Sequence, residues 1–112
     1  MATKKKAKKT ARKMVNVLIG NGSYGLWIGE IDVNESTPEQ ILASKIAHVY
    51  ECRNVRYWYG PTGGITSLVA HGPNPSDLRN RIGAPCEGYV SAVVSVLLLT
   101  PTAVANFAKV KP

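Results

Sequence analysis

"VNVLIGNGSYGLWIGEI", Val15 to Ile31, sets Gly20, Gly22 and Gly25 in the order G-x-G-x-x-G behind an apolar run. That spacing is the one a dinucleotide-binding loop uses. Such a loop needs a helix opening directly after the third glycine. It also needs an acidic residue about 20 positions on, at the end of a second parallel strand. Gly25 instead leads into "LWIGEIDV", an aromatic and β-branched run with another glycine, which is poor helix material and good strand material. Glu39 lies at about the required distance, but in a segment that reads as a helix start. The stretch is therefore expected to be two antiparallel strands joined by a hairpin at Gly20, Asn21, Gly22, Ser23 and Gly25. Asn21–Gly22 is the expected turn dipeptide, because both residues tolerate positive φ.

The remainder extends that antiparallel start. In "NESTPEQILASK", Ser36 or Thr37 can cap a short helix, with Pro38 at its first position and Glu39 at the positive end of its dipole. "IAHVYECRNVRYWY", Ile46 to Tyr59, reads as one long strand. "ITSLVAHG" reads as a two-turn helix stopped by Gly72. Pro73 to Gly88 is a Pro- and Gly-rich loop with one helical turn expected at Ser76 to Arg81. "YVSAVVSVLLL", Tyr89 to Leu99, reads as a single buried strand, too short for the roughly 20 residues of a membrane span. "TPTAVANFAKV" closes as a helix capped by Thr100, with Pro101 in its first turn. The expected class is α+β: a small antiparallel sheet with two or three short helices, forming one domain over residues 14–112.

Residues 1–13, "MATKKKAKKTARK", form a separate basic arm. Lys4, Lys5, Lys6, Lys8, Lys9, Arg12 and Lys13 supply seven of the chain's 14 Lys and Arg, with no acid among them. The seven remaining cations are matched by the chain's seven Asp and Glu, so the body is neutral. A flexible cationic segment binds polyanions with steep salt dependence and little sequence choice. Its expected partner is a nucleic acid or an acidic protein surface; a solubilising tail is the alternative. No apolar core follows the charges, so the arm does not read as a signal peptide.

The segment "RNVRYWY" groups Arg53, Arg56, Tyr57, Trp58 and Tyr59. On a strand, Tyr57 and Tyr59 share one face while Arg56 and Trp58 share the other. The cluster is either a ligand-stacking face or a core face backed by a subunit interface. "RNR" at Arg79 to Arg81 is a phosphate contact or a solvated loop. His48 and His71 stand alone in sequence and read as structural. Cys52 and Cys86 form no CxxC and fit no zinc pattern, so free buried thiols are expected over a disulfide. No local Ser/His/Asp arrangement or H-E-x-x-H occurs, and "GNGSYG" is not the G-x-S-x-G of a nucleophile elbow. The chain is expected to be no enzyme and to hold neither cofactor nor metal.

Three segments together resemble a family of small uncharacterised proteins of tailed bacteriophages and prophages. "VLIGNGSYGLWIGEI" resembles its opening strand pair, with Ser23, Gly25 and Gly29 in an S-x-G-x-x-x-G element. "VRYWYGPTGGITSLVAHG" resembles its Arg-aromatic strand, W-x-G turn and short helix, through Arg56, Trp58, Gly60, Ser67, Leu68 and Gly72. "VSAVVSVLLLTPTAVANF" is similar to its late strand and Thr-led terminal helix. The Lys-rich arm, the insert at Asn34 to Lys45 and the longer Pro61–Gly64 turn depart from the pattern. The resemblance implies a phage origin and no enzyme activity.

Three functions arise as expectations. The first is a self-associating virion subunit of the head-decoration or cement type, with its arm on an acidic surface among other virion proteins. The second is a counter-defence protein sequestering a nucleotide signal through Arg53, Arg56, Tyr57 and Trp58. The third is a DNA- or RNA-binding accessory protein driven by the arm. A homo-oligomer is expected under each, in the virion or in the host cytoplasm during infection, with no membrane partner.

Overall fold

Neighbouring residues in Val17–Leu18–Ile19 are all fully buried, yet they serve different cores. Side chains alternate across a strand, so a strand buried on both faces reads as a continuous apolar run. The computed structural model describes residues 11–22, 25–60 and 63–112. Lys4, Lys5, Lys6, Lys8, Lys9 and Ser23, expected in the arm and the hairpin, lie outside them.

Among the described residues, six antiparallel strands and three helices run in the order β1 (Met14–Asn21), β2 (Gly25–Asp32), α1 (Pro38–Ser44), β3 (Ile46–Tyr57), α2 (Gly64–His71), β4 (Arg81–Ile82), β5 (Cys86–Ser91), β6 (Val93–Leu98) and α3 (Pro101–Ala108). This is the expected α+β class. The sheet order is β4-β3-β2-β1-β6, and β5 also pairs with β3. Only Ala92 separates β5 from β6, and their partners β3 and β1 flank β2 on opposite sides. The sheet therefore rolls round until one chain segment meets both of its sides. Val17, Ile19, Ile31, Ala47, Val49, Cys52, Val90 and Val93 fill the inside, with Ile41 of α1 packed among them. Leu18, Ile28, Val55 and Ile82 face the opposite way, under Leu68 of α2 and Phe107 of α3.

The helix starts form as their sequences dictate. Thr37 and Gln40 make a reciprocal capping box at α1, and the Thr100 hydroxyl accepts from the Ala103 N–H at α3. Four expectations need correction. Asn21 stays within β1, and neither it nor Gly22 takes a left-handed backbone. Asn21 is still paired with Gly25, so of the expected dipeptide only Gly22 lies in the connection. The run Tyr89–Leu99 is two strands, because Ala92 adopts φ 55° and re-aims the chain. It is also far from wholly buried, since Tyr89, Val94 and Leu98 are exposed. Residues 76–81 hold tight turns and the start of β4 in place of a helical turn, with Asn74 and Asp77 side chains accepting from N–H groups two residues on. Finally, β3 stops at Tyr57, where the Tyr59 N–H instead donates to Asn80 Oδ1.

Gly29 allows the closest approach of β2 to β3. A Cβ there would sit 2.5 Å from Val49 Cγ1 and 2.8 Å from the Tyr50 carbonyl oxygen. Opposite it, β3 carries a bulge at Glu51, whose φ is 52°. One added residue exchanges inward and outward positions from there on. Val49 and Cys52, three apart, both reach the inner core, and Arg53 and Val55 turn to the helix side.

Candidate functional site

The bulge disperses the Arg-aromatic cluster. Arg53, which the sequence offers either to a ligand-stacking face or to a core face, is buried beneath α3. Its Nε donates to the Gly83 carbonyl at 2.7 Å, Nη1 to Phe107 at 2.8 Å, and Nη2 to Val110 at 2.6 Å and Ile82 at 3.4 Å. Burial lowers its pKa from the usual value. Trp58 packs against the helix-side core. Tyr59 lies under the Arg79 guanidinium, 4.1 Å from ring centroid to Cζ, and Arg79 is itself clamped by both Asp77 carboxylate oxygens. That clamp draws the Asp77 pKa down to about 2. Only Arg56 and Tyr57 of the five remain exposed.

Arg56 instead joins residues that the sequence keeps far apart. It lines a groove of about 410 Å³ with Arg81, Lys111 and the exposed Leu78. A second hollow, of about 270 Å³, runs from Arg56 past Tyr57 to Asn54 and Leu26. A third continues from Leu78 and Lys111 to Lys109. Nothing in the sequence brings Arg56 to Lys111; tertiary folding makes this group, of which Arg56 of the aromatic run and Arg81 of "RNR" were the legible members.

His48, read as a lone structural residue, is part of a cluster on the outer face of β3 and β5. Its Nδ1 lies 2.9 Å from Glu35 Oε2 and its Nε2 lies 2.7 Å from Glu87 Oε2. Tyr89 stacks on the ring at 4.6 Å, and Tyr50 flanks it at 4.4 Å. The Glu35 hydrogen bond above all raises the His48 pKa above 6.5, with Glu87 adding to it against a desolvation penalty. Protonated His48 donates to both carboxylates and joins β3, β5 and the loop after β2. A pKa raised in the folded state contributes stability that is complete below pH 6.5 and is lost as pH rises through the folded value. The melting-temperature advantage of wild type over His48→Gln should therefore be largest near pH 6 and shrink as the solution becomes alkaline. An advantage that stays constant or grows across that range would sink the assignment.

The root of the arm is fixed beside this cluster. Asp32 Oδ1 accepts from the Lys13 N–H, and Asn34 Nδ2 donates to the Ala11 carbonyl. The Arg12 guanidinium stacks over Tyr50 at 4.6 Å. The Lys13 hydrogen bond, followed by that of Asn34, holds the Asp32 carboxyl below its usual range. Of the two thiols, Cys52 is buried as expected and its pKa is pushed up to about 11 by desolvation. Cys86, directly opposite it in register, is exposed, which corrects the expectation for that residue.

The hairpin glycines do not form a phosphate cradle, since β2 and not a helix comes after them. A Cβ on Gly20 would stand 2.6 Å from Ser95 Oγ, and one on Gly25 would collide with the Asn21 side-chain amide. With Leu26, Ile65 and Val94 these glycines line an apolar hollow of about 380 Å³ beside β6. Among the described residues no helix is long and apolar enough to cross a membrane. No family model, no curated protein and no solved structure matches this chain.

Proposed function

We propose that the chain is a non-enzymatic structural subunit that assembles with copies of itself. In this reading it is a virion head-decoration or cement-type component, with its basic arm set on an acidic surface. The observation that carries the self-association is the edge of β6. Among the described residues this strand is paired only with β1, and its Val94 and Leu98 side chains are 63% and 58% exposed. An apolar edge with unpaired backbone groups is a template for another strand, and proteins that stay monomeric blunt such edges with charge. The adjoining hollow with Leu26 and Ile65 offers apolar surface continuous with that edge. The phage setting rests on the sequence resemblance, and it places the protein in the virion or, before assembly, in the host cytoplasm.

Light scattering on the full chain tests the assembly. Wild type is expected to be oligomeric, and Val94→Lys with Leu98→Lys is expected to be monomeric with an unchanged circular dichroism spectrum. A monomeric wild type would overturn the reading. Mass spectrometry of purified virions tests the setting, and absence of the chain from them would remove it.

A further inference from the structure

Arg56, Arg81 and Lys111 are exposed cations brought to one groove, and no Asp or Glu lines it. The other arginines of the body have partners: Arg53 is spent on four carbonyls, and Arg79 on Asp77 and Tyr59. The groove cations make no salt bridge with the described residues. Pro112 lines the same groove beside Lys111, and with no Asp or Glu side chain among them the three cations repel one another, a repulsion that an anion relieves. Arg81 is also oriented. Its Nη1 donates to the Leu78 and Asn80 carbonyls at 2.9 and 3.0 Å, while Nε and Nη2 have no hydrogen-bond partner among the described residues. Asp77 borders the third hollow, but Arg79 holds both its oxygens.

We infer that this groove binds the phosphates of a single-stranded nucleic acid. Two features favour a strand over a mononucleotide. The three hollows run on from one another through Arg56 at one side and Lys111 at the other, so the cations lie along a track. A site for one small ligand would enclose most of its surface, whereas these hollows are open to solvent along their length. Tyr57 is 58% exposed beside Arg56, and its ring gives a base a face to stack on, independently of sequence. The groove lies within the folded body, so it is a site additional to the arm. It does not depend on assembly through β6.

Fluorescence anisotropy with a labelled oligothymidylate tests it, using the full chain across a salt series. Arg56→Gln, Arg81→Gln and Lys111→Gln combined should weaken binding by about tenfold or more. They should also flatten the slope of log K against log salt by about 2, since each phosphate contact on a single strand contributes about 0.7. The groove substitutions should cause the same loss in a background in which Lys4, Lys5, Lys6, Lys8 and Lys9 are all Gln, and in one in which β6 carries Val94→Lys and Leu98→Lys. Unchanged affinity and slope in the groove variant would overturn the proposal. Equal or tighter binding to the corresponding duplex would overturn its single-strand form. Retained binding by the β6 variant separates failure of this site from failure of self-association.

Discussion

Arg53→Met is expected to destabilise the fold by about 3 kcal/mol or more. Charged hydrogen bonds are worth about 1.5–3 kcal/mol each, and an orphaned buried carbonyl costs about 1–3 kcal/mol. The substitution leaves the carbonyls of Gly83 and Val110 without their donor and that of Phe107 with only its backbone N–H partners. Two of these lie at or just beyond the C-terminal turn of α3, and that turn has no basic residue of its own. Arg53 thus supplies from β3 the positive charge that the negative end of the helix dipole favours. Arg53→Lys keeps the charge but loses the planar fork, so it should recover only part of the loss. Urea unfolding of the three proteins measures this. A Met variant within about 0.5 kcal/mol of wild type, the range of neutral surface changes, would show that the guanidinium does not anchor α3.

Gly29→Ala should cost about 1–3 kcal/mol, the usual penalty of overpacking. The added methyl would meet Val49 Cγ1, the Tyr50 carbonyl and the Cys52 Cα, and the latter two are backbone that cannot swing aside. Relief requires β3 to move away at its bulge, which disturbs the inner core at Val49 and Cys52. Gly88→Ala is the matched control. It also lies in a strand, but nothing stands within 4 Å of its added Cβ. Thermal melts should separate the two clearly, and equal melting temperatures would refute the close-approach argument.

These two residues also mark where the sequence stops being readable. The helix starts at Thr37 and Thr100 were legible because a cap, a proline and the first turn are contiguous in the chain. The antiparallel class was legible because β1 and β2 are neighbours and the residues after Gly25 oppose a helix. The bulge at Glu51 has no such signature, since glutamate does not advertise a positive φ. That single residue sets Arg53 in the interior and so decides between the two faces that the sequence leaves open. The corner at Ala92 was hidden likewise, because an alanine inside an apolar run looks like continued strand. For the candidate site, Arg56 and Arg81 were visible as cations. Their meeting with Lys111, like that of Glu35, His48 and Glu87, depends on separations that only the closed sheet brings together.

The carbonyls that hold Arg53 have a consequence in time. Phe107 and Val110 lie 54 and 57 residues beyond it in the chain. As the chain grows from the ribosome, β1, β2 and most of β3 emerge while this arginine still lacks all four of its acceptors, and the last two arrive only with α3. Until they arrive, its charge is best left in water, and a strand that keeps one face wet cannot settle permanently against a hydrophobic layer. The hydrogen-bond set of this one side chain is therefore complete only once the final helix is present.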